Sequence, residues 1–126
     1  MELFASIALQ TDASTTAVLG TVGLLALFLS ITAHIAARNV LGDVKFISAL
    51  GVGPLPAVIS TTSQVFEISA AIALPVALAI DFAAISYLYG EDRRLSAYIT
   101  AIHVVVTILL GAILVGVVAL IASAPL

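Results

Sequence analysis

Asp81, His34 and His103 are ionisable side chains set inside long apolar runs. A carboxylate accepts hydrogen bonds when ionised and an imidazole can donate and accept at once, so an Asp/His pair can hold, share or pass a proton. A charge near the middle of a bilayer costs at least ~2.5–3.5 kcal/mol on insertion scales, so Asp81 needs a compensating partner. Two uses follow. In the structural one, Asp81 hydrogen-bonds to His103, or to a Ser or Thr, and pins neighbouring helices. In the functional one, Asp81 and His103 exchange protons and couple them to transport.

The other candidates are secondary. His34 stands one helical turn before Arg38 and reads as a boundary residue at a helix end. Glu67 follows the polar cluster Ser60-Thr61-Thr62-Ser63-Gln64 and favours a helix start electrostatically. Pro54 and Pro56 lack N–H groups, which frees the carbonyls of Leu50 and Val52 from helical bonding. Such carbonyls survive in lipid only where protein or a wet cavity satisfies them, so the segment is either a kinked helix or a broken, ion-binding one. Two histidines on different helices can in principle ligate haem, but His34 and His103 differ in estimated depth by ~7 Å. No haem, metal or other cofactor is expected. No phosphate loop, nucleophile elbow, metalloprotease motif or dinucleotide fingerprint occurs, so no enzyme is expected either.

The elements that position these residues follow from composition. Of the 126 residues, 63% are hydrophobic and only 9% charged, and mean hydropathy is +1.31. Soluble domains run at ~45–50% apolar and about 25% charged, so lipid must solvate most of this surface. Four basic residues against seven acidic ones leave no patch for a phosphate backbone, and nucleic acid is not an expected partner. Cysteine is absent, which removes disulfides and thiolate chemistry.

A membrane helix needs ~20 mostly apolar residues. Four runs satisfy this, at about 13–37, 46–66, 67–90 and 96–122. Asp12 or Ser14 is placed to cap the first. The second is expected to kink or break within 51–56. The reading is therefore all-α: an antiparallel four-helix transmembrane bundle formed by one integral membrane domain over residues 1–126. Arg38 and Lys45 fall in the first loop, Arg93 and Arg94 in the third, and an alternating topology puts both loops on one side. Cytoplasmic loops collect Lys and Arg, so both termini are expected outside the plasma membrane.

Small residues let helices approach closely in lipid. They recur at Gly23, Ala26, Ser30, His34 and Ala37 on the first span, and at Ala49, Gly53, Ala57 and Thr61 on the second. The third offers Ser69, Ala73, Ala77 and Asp81; the fourth offers Ser96, Thr100, His103, Thr107 and Gly111. Asp81 lies about nine residues from the basic boundary and His103 about eight, which is ~14 and ~12 Å deep. The short loop between their helices makes them antiparallel neighbours, so the two side chains are expected to touch.

The Ala/Val-rich, acid-leaning, lysine-poor composition resembles that of small uncharacterised multi-pass membrane proteins of haloarchaea. Size and span number also resemble small multidrug-resistance transporters. That family's embedded Glu in the first helix has no counterpart here, and Trp is absent, so none of its residues carries over. Two functional expectations remain. One is an accessory or structural subunit that packs in the bilayer with itself or a larger complex. The other is a homo-oligomeric proton-coupled transporter or channel using Asp81 and His103.

Overall fold

The computed structural model describes residues 2–125, with side-chain surroundings from residue 15 onward. Five helical segments follow one another: α1 (Glu2–Leu41), α2 (Phe46–Val52), α3 (Pro54–Val65), α4 (Ala70–Tyr89) and α5 (Arg93–Ser123). No strand occurs among the described residues. α2 and α3 form one bent rod, so the chain builds four helices long and apolar enough to cross a membrane.

The bend between α2 and α3 is only 22°. Gly53 at the junction keeps right-handed helical angles (φ −57°, ψ −43°), and its N–H still reaches the carbonyl of Ala49 at 3.0 Å. The prolines fall in the first turn of α3, where N–H groups lack an intrahelical acceptor in any case. The expected disruption is therefore a kink and not a break. Gly53 is also where the rod meets α1. A Cβ built on it would stand 2.5 Å from both the Ala26 carbonyl oxygen and the Ser30 amide nitrogen.

α1 begins earlier than expected. Its backbone is helical from Glu2, so neither Asp12 nor Ser14 starts it, and the side chains of both lie outside the described residues. The other starts follow local rules. Ser69 accepts from the Ala71 N–H at 3.2 Å, and Asp92 from the Leu95 N–H at 2.8 Å. Gly42 and Gly90 take the left-handed angles that end α1 and α4. Glu67 takes them too (φ 54°) in the α3–α4 turn, where Ile68 N–H donates to the Ser63 carbonyl at 2.8 Å.

The core sits at one end of the bundle. Ala33, Ala36, Ala37, Ala49, Val52, Ala84, Ile85 and Ile99 pack together next to the α1–α2 loop, which carries Lys45, and the α4–α5 loop, after which Arg93 and Arg94 begin α5. The opposite half is looser. α4 begins about eleven residues before Asp81, whereas α5 continues about twenty past its neighbour His103; the overhang is about nine residues, or ~14 Å. Val115, Val117, Val118, Leu120 and Ile121 on that overhang are all exposed.

Candidate intramembrane polar site

Asp81 lies midway along α4 and His103 on the second turn-pair of α5, and the antiparallel packing of the two helices sets them level. Nδ1 of His103 is 2.6 Å from Oδ2 of Asp81. Both residues are nearly fully enclosed, at 3% and 4% exposure. The expected contact between the two is present.

The imidazole reaches a third helix through its other nitrogen. Nε2 lies 3.1 Å from the Leu29 carbonyl oxygen and 3.0 Å from Thr32 Oγ1, both on α1. The Thr32 hydroxyl donates to the Leu29 carbonyl at 3.1 Å and accepts from the Thr107 hydroxyl of α5 at 3.0 Å. One polar layer thus ties α1, α4 and α5 together.

Its protons can be placed by elimination. The Leu29 carbonyl only accepts, so Nε2 beside it carries a hydrogen, shared between that carbonyl and Thr32 Oγ1. Thr32 then donates once and accepts twice, which fills its capacity. The 2.6 Å contact holds one further proton between Nδ1 and Oδ2. Whichever atom carries it, the Asp81–His103 pair bears no net charge, as suits a site shielded from water.

One atom of this layer is left over. Asp81 Oδ1 is buried and has no partner. Such an acceptor forfeits about 1–3 kcal/mol relative to a satisfied one. Asp81 itself lines a cleft of ≈ 390 Å³ on the loosely packed side of the layer, together with residues of α1, α3, α4 and α5. Leu29, Pro56, Leu74, Leu78, Val104 and Ile108 form apolar walls around Asp81, His103 and Thr107.

The remaining sequence candidates lie apart from this layer. His34 is half-buried and meets the Phe46 ring edge-on, with centroids 5.1 Å apart, and its Nδ1 is without a partner. Its place is beside the α1–α2 loop. Glu67 is exposed in the α3–α4 turn and lies before the Ser69 cap of α4. Pro54 stands at the α2–α3 junction, while Pro56 is buried and lines the cleft. Thr61 and Gln64, from the polar cluster, help to line a second, smaller cleft against Ala17, Val18 and Thr21. No group of three or more potential metal ligands occurs among the described residues.

Sequence reasoning missed Leu29 and Thr32. A main-chain carbonyl leaves no trace in residue type. Thr32 carried a signal, a hydroxyl in an apolar run, but it sits off the small-residue stripe of its span.

Nothing among curated proteins or solved structures matches the chain. Residues 12–125 match the model of a family of unknown function, DUF7473, and with nearly the whole chain covered the protein belongs to that family.

Proposed function

We propose that the protein is an accessory or structural membrane subunit, held in the bilayer by four spans and packing there against copies of itself or a larger complex. The overhang of α5 carries the reading. If its five large apolar side chains stood in water, the cost at ~1.5–3 kcal/mol each would be on the order of 10 kcal/mol. A partner helix or a locally thickened bilayer removes that cost. The short loops, which leave little chain outside the spans, support the same reading.

The Asp81–His103 layer serves this role as a clamp. Helices that meet through Ala, Gly and Ser can slide past one another in lipid, and a polar layer shared by three of them penalises every other register. A proton-coupled transporter is the lesser reading. It needs a polar route from Asp81 to the two sides of the membrane, and the walls of the cleft beside Asp81 are apolar.

Both termini lie outside in this proposal, which the placement of Arg38, Lys45, Arg93 and Arg94 supports. The lysine-poor, acid-leaning composition favours a haloarchaeal plasma membrane. Native mass spectrometry after gentle extraction tests assembly: a fixed-stoichiometry complex is expected, and a lone monomer refutes the reading. Because the chain has no native cysteine, single-cysteine variants report orientation. Glu67→Cys should react with an impermeant maleimide on intact cells, and Asp43→Cys only after lysis.

A further inference from the structure

We propose that the cleft beside the polar layer binds a membrane-soluble molecule with a hydrocarbon body and a single neutral hydroxyl, an apolar alcohol or phenol, which donates its hydrogen bond to Asp81 Oδ1. Three observations define the occupant. The volume, ≈ 390 Å³, lies in the ordinary range for small-molecule sites. The walls are apolar side chains, so the body of the ligand is hydrocarbon. The free polar atom is an acceptor, so the ligand presents a donor there.

The proton count decides between a neutral and a cationic donor. His103 carries a hydrogen on Nε2 because the Leu29 carbonyl faces it, and one more proton lies in the bond to Asp81. The carboxylate is thereby compensated within the protein. An ammonium group entering the cleft would bring a charge with no free counter-charge to meet it. A hydroxyl brings none, and it restores the missing bond. His103 and Thr32 have their hydrogen-bonding capacity filled and the Thr107 hydroxyl already donates to Thr32, so Oδ1 is the one buried acceptor of the layer without a partner.

The test uses the full chain in lipid vesicles and a long-chain alcohol bearing an alkyl diazirine, with label positions read by mass spectrometry. The inference rests on bilayer embedding, which is checked separately by retention of the protein in vesicles after an alkaline wash. Labelling is expected at Leu74, Leu78, Val104 and Ile108. 1-Dodecanol should compete about tenfold better than its methyl ether, the equivalent of ~1.4 kcal/mol for one hydrogen bond. Ala77→Leu narrows the cleft without touching the Asp81–His103 bond and should abolish this labelling in a protein that still folds. Equal competition by alcohol and ether overturns the proposal, since a lipid chain would then be filling the cleft. Labelling spread evenly over the exposed faces of α4 and α5, or unchanged in Ala77→Leu, overturns it as well.

Discussion

Gly53→Ala should cost about 2 kcal/mol of stability. The added methyl carbon would stand 2.5 Å from the Ala26 carbonyl oxygen and the Ser30 amide nitrogen, where ordinary van der Waals contact begins at 3.4 Å. It would also meet the side-chain oxygen of Ser30, but the other two obstacles are backbone atoms of α1 and cannot rotate away, so the α2–α3 rod and α1 must part by about 1 Å. A gap of that size forfeits a quarter to a half of each dispersion contact across the seam. Overpacking of this kind costs ~1–3 kcal/mol, and the upper end applies where neither side can yield. Replacing a helical glycine by alanine returns up to ~1 kcal/mol, which leaves the net loss at about 2 kcal/mol. Gly51→Ala is the internal control, because its methyl would meet the Leu88 side chain, nearest at Cδ1 (2.8 Å), the end of a side chain that can turn aside. Gly116→Ala meets nothing within 4 Å and should stabilise slightly. Unfolding midpoints in mixed micelles, followed by far-UV circular dichroism, rank the three. If Gly53→Ala matched Gly116→Ala, the close approach of α1 to the rod would be wrong.

Asp81→Leu or His103→Leu alone should cost about 3–5 kcal/mol, since each strands a buried polar partner, whereas the double variant should recover much of that loss. A double-mutant cycle with no coupling would remove the clamp. Glu67→Gly should stabilise the protein by about 1 kcal/mol, because a left-handed angle that costs a side chain costs glycine nothing; unchanged or lower stability would mean that Glu67 makes a compensating contact. Asp92→Ala removes the acceptor of the Leu95 N–H and should fray the start of α5, visible as faster amide exchange there; unchanged exchange would show the cap to be idle.

The sequence was most legible where small residues meet other helices. The stripe Ala49, Gly53, Ala57, Thr61 is buried throughout, and Ser96, Thr100 and His103 lie on the inner face of α5. Equal depth across a short loop was enough to bring Asp81 to His103. The stripe on the third span holds only at its Asp81 end; Ser69 is exposed and Ala73 half-exposed, because the bundle opens toward that side. On α1 the inner face is wider than one stripe. Ser30 meets the rod near Gly53 while Thr32 meets α5, so two arcs of a single helix are buried. Hydropathy cannot report such an arc, since the faces turned to lipid are as apolar as those turned to protein. The start of α1 was misread because residue types that cap a helix well also occur within helices, so Asp12 and Ser14 do not by themselves mark a start.

The polar layer falls where the packed half of the bundle ends, and that position gives one set of residues two consequences. Below it, Ala, Val and Ile side chains close the space between helices; above it, the cleft opens between α1, α3, α4 and α5. A layer buried within the core would pin the helices but leave no acceptor for a ligand to reach. A layer near the open end would be wetted and lose its strength as a clamp. At the boundary, Asp81 uses one oxygen for each role: Oδ2 holds His103, and Oδ1 is the unpartnered atom beside the cleft. The two roles are separable by mutation. Gly53→Ala acts on the seam between α1 and the rod, on the opposite arc of α1 from Thr32, and should weaken stability while leaving hydroxyl preference in the cleft intact. Ala77→Leu should do the reverse. Variants that always lost both properties together would mean that cleft and clamp are one structural unit with no independent binding role.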